Sequence, residues 1–464
     1  MIKDGILKVL KMRSSFLILS IINLLTIVHC VHYEPNWKSL DARPLPEWYD
    51  RAKIGIFLHF GLFSEPSYVS EWFWDFWRDS STPYVWQHTQ LLRYMRDNFK
   101  PNFTYAEFGS NFRTEFFNAT QWAEIIKKSG ARYTVLTTKH HEGFTLWPSS
   151  YSFQWNSMAL GPKRNIVGEF SAAIRKIGNI HLGLYYSLFE WFHPLYLKDM
   201  EHNYTTHEYV RLKARPELEE LINTYRPELL WSDGDAVYND TYWNSTDILA
   251  WLYNDSPVKD VIVTNDRWGT NCHNKHGGFF DGPDRNNPDS LPKHKWESAI
   301  SIDQVAWGYR REASLDQLLT INELIHQLLK TISFGGNFLV NVGPNKDGRI
   351  MPIFEERLSQ LGEWLEINGE AIYESQIYEK CQMSKNNQTF YTKKNDGIYG
   401  ITLDWPNEGI MEFECIDYDD VNQVTMLGSD ESIKFGPGSN GTLVKFPKWI
   451  PNTFKYAYTF KFHV

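Results

Sequence analysis

The sequence predicts a mixed α/β protein in which a (β/α) TIM-like barrel is followed by a C-terminal antiparallel β-sandwich. Short apolar runs alternate with longer amphipathic stretches from about residue 45 to residue 373. No glycine-rich dinucleotide fingerprint follows the first run, which favours a barrel over an open sheet. After residue 369 the pattern changes to short alternating runs separated by Gly, Pro, Asn and Asp, as in a sandwich.

The barrel strands are predicted where runs are apolar on both faces, because a parallel sheet is covered on both sides. These runs are 54–60, 133–138, 181–186, 228–231, 261–265 and 337–342. Helices with a period of 3.6 residues are predicted at 123–129, 167–177, 216–225, 315–333 and 354–367. Sandwich strands are predicted at 389–392, 397–404, 411–415, 423–426, 432–435, 443–446 and 455–462. The resulting division is 1–30 signal peptide, 31–372 barrel and 373–464 sandwich.

The first thirty residues have the pattern of a secretory signal peptide. Lys3, Lys8, Lys11 and Arg13 precede an apolar run over residues 16–28. That run is shorter than the roughly 18 to 20 residues that a membrane-spanning helix needs, and no later run reaches that length. We therefore expect a protein of the secretory pathway, lysosomal or secreted, with no membrane span.

Glycosylation sequons and cysteines agree with export. Eight asparagines stand two residues before Ser or Thr with no intervening Pro, which predicts a glycoprotein with these side chains at the surface. They are Asn102, Asn118, Asn203, Asn239, Asn244, Asn254, Asn387 and Asn440. If Cys30 leaves with the signal peptide, three cysteines remain. The suggested pairing is Cys381 with Cys415, which leaves Cys272 free, and the sequence alone leaves the other pairings open.

Charge and composition exclude some partners. The chain carries 47 Lys and Arg against 56 Asp and Glu, a formal net charge of −9, with no basic block. Phosphate neutralisation needs a surplus of cations, so no nucleic-acid partner is expected. Aromatic residues make up 16% of the chain. Such rings suit the faces of sugars, but they also fill ordinary cores.

Polar residues follow the predicted barrel strands where a barrel carries its reacting groups, at the carboxyl ends. Asp233 ends the fourth run and precedes Gly234, which places a carboxylate at the mouth of the barrel. An Asp before Gly also occurs in simple turns and helix caps, but the neighbouring Trp231 favours a catalytic role. Asp235 is expected to point into a solvated loop.

Several classes of site are excluded by pattern. His140 and His141 are adjacent and are expected to point apart, and no second His follows four residues later, so a metal is not expected. There is no G-x-S-x-G elbow and no phosphate-binding loop, and Tyr238 breaks the calcium-loop pattern. The expectation is a site with no metal and no cofactor.

A secreted protein with a carboxylate-rich site of this kind fits glycoside hydrolysis. That reaction needs one carboxylate at the anomeric carbon and a second, protonated, at the leaving oxygen. Two candidates exist for the second group. Asp284 lies in the Pro- and Asn-rich loop 282–287, and Glu297 follows Trp296 at the start of a strand-like run.

These motifs resemble the α-L-fucosidases of glycoside hydrolase family 29, closely the animal lysosomal type, from about Pro46 to the C-terminus. The segments that carry the resemblance are PEWYDRAKIGIFLHFG, SEWFW, YMRDNF, VLTTKHHEGFTLWPS, EWFHPLYL, ELLWSDGD, TYWNSTDILAWLYNDSPVKD, NDRWG, SLPKHKWE and NVGPNKDG. The resemblance implies a retaining double displacement on terminal α-L-fucosyl residues, with Asp233 as the nucleophile. It favours Asp284 as the acid/base, with Glu297 as the rival because bacterial relatives use a Glu.

The resemblance also implies the residues that hold fucose. These are His59, Glu71, Trp72, His140, His141, Tyr185, Trp231 and Arg267, with Trp307 as an apolar wall. Two positions depart from the family pattern: Phe60 replaces a Trp, and Asp235-Ala236 replaces Glu-Trp. Expected partners are fucosylated glycans, glycoproteins or glycolipids, and the resemblance suggests a homotetramer. The alternative function is a catalytically impaired, lectin-like protein that binds fucose.

Overall fold

The computed structural model describes residues 31–78, 80–81, 83–448 and 455–464. Residues 35–464 form one compact unit, and the described residues 31–34 are assigned to a separate unit without helix or strand. The signal peptide predicted for residues 1–30 lies outside the described residues. Within the described part of the chain, no helix combines the length and the apolar character that crossing a membrane requires.

Seven parallel strands form a curled, barrel-like sheet, which confirms the predicted fold class. They are β1 Ile54–Leu58, β2 Tyr133–Lys139, β3 His181–Ser187, β4 Leu229–Asp233, β5 Val263–Thr264, β6 Glu297–Ser301 and β7 Asn337–Val342. Their order in the sheet is β5-β4-β3-β2-β1-β7-β6. Every residue of β1, β2, β6 and β7 is buried, as expected for strands covered on both faces.

A short segment bridges the gap between the two edge strands β5 and β6. Gly278 N–H donates to the Thr264 carbonyl oxygen at 3.0 Å, and Phe280 N–H donates to the Lys295 carbonyl oxygen at 2.9 Å. Glu297 N–H in turn donates to the Phe280 carbonyl oxygen at 2.8 Å. Backbone groups at both sheet edges are thereby hydrogen-bonded, and the barrel closes.

Helices pack around the sheet, and each of the five predicted stretches overlaps one of them. The α-helices are Trp37–Leu40, Glu47–Ala52, Phe73–Arg78, Val85–Asn98, Phe108–Asn111, Ala119–Lys128, Ile166–Ile177, Pro194–Glu201, Arg215–Tyr225, Asp240–Trp243, Ser245–Asn254, Ile321–Ser333 and Pro352–Asn368.

The prediction differs from the structure at one helix and at one strand that was not predicted, for identifiable reasons. The helix predicted at 315–333 begins only at Ile321, because Thr320 and Glu323 form a reciprocal capping box there. The strand β6 was not predicted as an element of the sheet, because the sequence ESAIS carries three polar residues and so lacks an apolar run.

The C-terminal region consists of two antiparallel sheets, as predicted. Its strands are β8 Gln376–Ile377, β9 Thr389–Lys394, β10 Gly397–Thr402, β11 Ile410–Phe413, β12 Gln423–Met426, β13 Lys434–Pro437, β14 Thr442–Lys445 and β15 Tyr458–His463. One sheet has the order β12-β15-β10-β9-β8 and the other β11-β14-β13. Residues from both sheets, among them Phe413, Val444 and Phe460, share one apolar core.

The suggested disulfide joins Cys381 to Cys415, and Cys272 is free and buried, so both expectations are confirmed. The C-terminal sheets contact the last barrel helix through Trp364 Nε1, which donates to the Ala457 carbonyl oxygen at 3.0 Å. The boundary between residues 372 and 373 stays our proposal.

The sequon asparagines lie at or near the surface. Asn102, Asn118, Asn203, Asn387 and Asn440 are exposed. The other three, Asn239, Asn244 and Asn254, are half-buried. Glycosylation itself stays a prediction.

Beneath the carboxyl end of β2 lies a buried network of two lysines and two glutamates. Lys139 Nζ contacts Glu190 Oε1 at 2.8 Å and Glu217 Oε2 at 3.4 Å, and Lys213 Nζ contacts Glu217 Oε1 at 2.6 Å. Two positive and two negative charges balance there, which is the condition under which buried charges are tolerated. Because Lys139 directly precedes His140, the network anchors the loop that enters the site.

Replacing Lys139 by Met is expected to lower the free energy of unfolding by about 3–5 kcal/mol, because Glu190 and Glu217 would share only one cation in a buried place. Urea denaturation followed by tryptophan fluorescence measures this change. The matched control is Arg51→Met, which breaks the exposed ion pair with Glu47 and should cost less than about 1 kcal/mol. Equal losses in the two variants would contradict the role assigned to the network.

Candidate active site

The carboxyl ends of the parallel strands surround a cavity of about 270 Å³. β1 leads into His59, β2 leads into His140 and His141, and β4 ends at Asp233. All nine residues predicted to bind substrate line this cavity, together with Asp233 and Asp284. The nine are His59, Glu71, Trp72, His140, His141, Tyr185, Trp231, Arg267 and Trp307.

Asp233 faces the cavity from the last position of β4. Its Oδ2 accepts a hydrogen bond from the Tyr185 hydroxyl at 2.6 Å, and His141 Nε2 lies 3.6 Å from the same oxygen. Only 14% of the side chain is exposed. The following residue must be small, because a Cβ on Gly234 would lie 2.4 Å from Leu188 Cδ1. The carboxylate is therefore held in one orientation, facing the cavity rather than a surface turn.

Burial raises the pKa of Asp233 to about 7. The Arg267 charge and the Tyr185 hydrogen bond lower this pKa, whereas the negative charges of Asp235 and Asp284 raise it. Desolvation outweighs the attraction to Arg267, since the nearest guanidinium nitrogen is 3.8 Å from Asp233 Oδ1. The group therefore keeps a proton to a higher pH than an ordinary aspartate.

Arg267 is the cation around which the acidic groups are arranged. Its Nε donates to Asp281 Oδ2 at 2.6 Å, and its Nη2 donates to Asp284 Oδ1 at 2.5 Å. Asp235 Oδ1 lies 3.9 Å from Nη1. The guanidinium also lies over the Trp231 ring, 4.7 Å from the ring centre. These contacts raise the pKa of Arg267 well above its usual value, although burial alone would lower it.

Asp284 differs from Asp233 in exposure. It lies on the loop after the barrel-closing segment, and half of its side chain is exposed. Desolvation raises the pKa of Asp284, but the charge of Arg267 and the hydrogen bond from it outweigh that effect and hold this pKa below the ordinary value. In the free protein Asp284 is thus an ionised, accessible carboxylate.

His59 and His141 present neutral rings to the cavity. His59 Nδ1 lies 2.7 Å from Asn341 Oδ1, and His141 Nδ1 lies 2.7 Å from the Ser187 hydroxyl. Burial, followed by the charge of His140, lowers the pKa of His59 to about 3, and burial lowers that of His141 as well. The expectation that His140 and His141 point apart is wrong, because β2 ends at Lys139 and strand alternation no longer applies.

Glu71 is fixed by backbone donors. Its Oε2 accepts the N–H groups of Trp307 and Gly308, each at 3.0 Å. Because Trp307 also lines the cavity, this contact ties the segment after β1 to the segment after β6. The second carboxylate oxygen is left for a ligand.

Glu297, the rival candidate for the acid/base, does not line the cavity. It is the first residue of β6, and the amino end of a parallel strand lies at the rim opposite the site. Its side chain is fully buried and accepts hydrogen bonds from Tyr49 OH at 2.7 Å, Tyr133 OH at 2.6 Å and Trp231 Nε1 at 3.1 Å. Glu297 thus supports the Trp231 ring from below.

Sequence reasoning missed five residues of the cavity wall: Phe57, Asp235, Ala236, His273 and Pro283. The expectation that Asp235 points into a solvated loop is wrong, since it contacts Arg267 and lies 3.6 Å from His273 Nδ1. Its position two residues after Asp233 was the available signal. His273 carries no comparable signal, because it lies in an irregular loop.

The two departures from the family pattern have different consequences. Phe60 is buried and contacts Phe112, Phe117 and Trp122 rather than the cavity. Ala236 does line the cavity. A small side chain at this position leaves the wall open where a larger one would fill it.

Among the described residues, Asp266, His273 and Asp281 are placed so that they could hold a metal ion, with ligand atoms within 4.8 Å of one another. Most carboxylate oxygens of the two aspartates already accept hydrogen bonds within the protein. Asp266 accepts the N–H groups of Asn274 and Asp281, and Asp281 accepts from Arg267. We assign no metal to this cluster.

Comparison with known proteins identifies the family. The model of the family "Alpha-L-fucosidase" matches residues 22–370, and that of the "Alpha-L-fucosidase C-terminal domain" matches residues 383–463. The chain belongs to the α-L-fucosidase family. This confirms the resemblance seen in the motifs and the expected class of enzyme.

Relatives of this α-L-fucosidase family member span nearly all of it. It is 48% identical over 433 residues to the tissue alpha-L-fucosidase of Homo sapiens, covering 92% of the chain and 91% of that relative. It is 50% identical over 435 residues to an alpha-L-fucosidase of Branchiostoma floridae, covering 93% and 95%. A solved Thermotoga maritima alpha-fucosidase in complex with fucose has 30% identity and a TM-score of 0.79, covering 93% and 100%.

The raised pKa of Asp233 predicts that this family member loses stability as pH rises from about 4 to about 7. The unfolded carboxyl releases its proton near pH 4, whereas the folded one retains it to about pH 7. Asp233→Asn should therefore gain stability relative to wild type with rising pH, by roughly 2–4 kcal/mol over this range. Urea denaturation at pH 4, 5.5 and 7 measures the difference.

The control for that series is Asp97→Asn, because the Arg96 hydrogen bond lowers the pKa of this exposed carboxylate. Its trend with pH should be slight and of opposite sign. A stability difference between Asp233→Asn and wild type that stays constant with pH would contradict the assigned burial effect.

Proposed function

We propose that the chain is a retaining exo-glycosidase that hydrolyses terminal α-L-fucosyl residues of glycans, glycoproteins or glycolipids. The observation that carries this is that Asp233 and Asp284 approach different nitrogens of one guanidinium, at 3.8 and 2.5 Å from Arg267 Nη1 and Nη2, and line one cavity. Two carboxylates in unequal environments are what a double displacement requires. Membership of the α-L-fucosidase family supports the choice of sugar.

The size and lining of the cavity support a single deoxyhexose as the sugar that is released. The cavity of about 270 Å³ lies at the strand ends, and side chains fill the barrel interior beneath it, so a chain of sugars has no path through the barrel. Neutral His59 and His141, with the carboxylate of Glu71, supply donors and acceptors for hydroxyl groups. Phe57 and Trp231 supply an apolar wall for the methyl group and ring face of the sugar.

In the first step, a carboxylate oxygen of Asp233 bonds to the anomeric carbon while the bond to the leaving oxygen breaks. Asp284 gives its proton to that oxygen. In the second step a water molecule gives a proton to Asp284 and its oxygen bonds to the anomeric carbon, which releases Asp233. Two inversions restore the starting configuration, and the carboxyl groups must then lie about 5 to 5.5 Å apart.

The protonation states of the free protein must change when substrate binds. Asp233 has to be ionised to attack, and Asp284 has to be protonated to donate. The contact between Arg267 and Asp284 is the one that holds Asp284 ionised. We infer that substrate draws Asp284 away from Arg267, because the loss of that contact raises the pKa of Asp284 and leaves the cation free to stabilise the Asp233 carboxylate.

The remaining parts of the proposal concern the cellular location, the oligomeric state and the alternative function. The signal-like segment 1–30 and the exposed sequons support a lysosomal or secreted glycoprotein with no membrane span. A homotetramer is part of the proposal on the strength of the family resemblance. A lectin-like protein remains the alternative function, and it predicts fucose binding without turnover.

Asp233→Ala is expected to lower kcat on an α-L-fucoside by about four orders of magnitude or more, because no group remains to form the covalent intermediate. Azide should restore part of the rate by occupying the vacated space. It would then attack once and give the β-configured fucosyl azide, which proton NMR identifies. Near-normal turnover without azide would refute Asp233 as the nucleophile, and an inactive wild type that binds fucose would favour the lectin.

Asp284→Ala should lose the most activity on substrates whose leaving group must be protonated. Fluoride as a leaving group needs little protonation, so kcat/KM on α-L-fucosyl fluoride should fall far less than kcat/KM on a fucosylated disaccharide. We expect the loss on the disaccharide to exceed the loss on the fluoride by a factor of about a hundred. The matched variant is Glu297→Gln, which removes the other carboxylate and should change both substrates by the same factor. A selective loss on the disaccharide in Glu297→Gln would reverse the assignment.

A further inference from the structure

A second and larger cavity adjoins the first. Its volume is about 560 Å³, about twice the 270 Å³ of the cavity that carries Asp233. Four residues line both cavities: Glu71, Trp72, Asp284 and Trp307. Because the proposed acid/base Asp284 lies on the shared wall, the two spaces meet where the leaving oxygen would be protonated.

The position of Asp284 determines where the rest of a substrate must extend. Under the proposed function, the oxygen that takes its proton joins the fucosyl residue to the remaining glycan. The walls at His59 and His141 are buried strand ends, whereas Asp284 is half-exposed. The remaining glycan therefore leaves the first cavity on the Asp284 side, into the second.

The second cavity has an aromatic wall. Trp72, Phe76, Tyr84, Trp86 and Trp307 all line it. Trp86 is the second residue of the helix Val85–Asn98 and is 63% exposed. Trp86 is one of several aromatic rings on this one wall, and apolar surface grouped in a cavity is where ligands bind. Its flat face suits the apolar face of a sugar ring.

Amide groups on the same wall supply hydrogen-bonding capacity. Gln87 Oε1 is buried and has no hydrogen-bond partner among the described residues. A buried acceptor without a donor is costly, and a sugar hydroxyl entering this cavity would supply one. Gln90 and Gln317 line the same space.

The charges of the wall favour a neutral ligand. Arg285 and Arg310 face the carboxylates of Glu71, Asp284 and Glu312, so the wall has no surplus of positive charge. Arg310 is further occupied by two hydrogen bonds of 2.8 Å to the carboxylate of a buried aspartate. Two arginines against three carboxylates leave the lining with no net positive charge to attract an anionic sugar.

We propose that the second cavity binds the leaving-group part of the substrate as a neutral oligosaccharide of at least two sugar units, with Trp86 stacked on a sugar face and Gln87 accepting from a hydroxyl. This inference rests on the proposed function, because the acid/base role of Asp284 is what assigns the leaving group to the second cavity. It makes Trp86 and Gln87 determinants of specificity rather than catalytic residues.

The test compares kcat/KM on a neutral fucosylated trisaccharide with kcat/KM on α-L-fucosyl fluoride, which has no sugar to place in the second cavity. Wild type should favour the trisaccharide several-fold over a fucosylated disaccharide. The ratio of trisaccharide to fluoride should fall about tenfold in Trp86→Ala, because stacking is lost. Gln87→Leu, of similar size but without an acceptor, should also lower the ratio.

The matched control is Phe153→Ala, which removes an aromatic side chain that is 84% exposed and lines neither cavity. It should keep the wild-type ratio. An unchanged ratio in both Trp86→Ala and Gln87→Leu would overturn the inference. Failure of the proposed function would give a different result from failure of this inference, since the wild type would then not hydrolyse even the fluoride.

Discussion

One buried cation holds the site together. Arg267 is hydrogen-bonded to Asp281 on the side away from the cavity and faces Asp233, Asp235 and Asp284 on the other. Removing a guanidinium from water is costly unless carboxylates surround it, and four carboxylates exceed what one charge can neutralise. The excess negative charge adds to burial in raising the pKa of Asp233. The stability of the region and the reactivity proposed for it therefore have the same origin.

The parallel direction of the strands explains how distant residues form one cavity. Four residues of the cavity wall are spread over more than two hundred positions: His59, His140, Asp233 and Arg267. Each follows or ends a barrel strand, and all barrel strands point the same way. The same rule separates Glu297 from them, because it begins β6 instead of following it. Its chemical type and the Glu of bacterial relatives made Glu297 a candidate, but strand direction places it at the rim opposite the cavity.

The sequence predicted the parts of the protein that depend on local pattern. Apolar runs located β1 to β4 and β7 closely, and polar residues at their ends marked the cavity wall. The pattern failed where tertiary contacts decide the structure. β6 is polar in sequence and buried only because both its faces are covered, and Asp235 returns to the cavity through its contact with Arg267. His273 reaches the wall on a loop that no periodicity describes.

The two proposed catalytic aspartates are both carboxylates, but the structure holds them in different ways. Asp233 ends a strand, accepts a hydrogen bond from Tyr185 and is 14% exposed, which suits a group that must keep one position through bond formation. Asp284 lies on a loop, and half of its side chain is exposed. A group that gives a proton to one oxygen and takes one from another must tolerate leaving groups of different shape. Its loop position allows this, and it places Asp284 on the wall that the two adjoining cavities share.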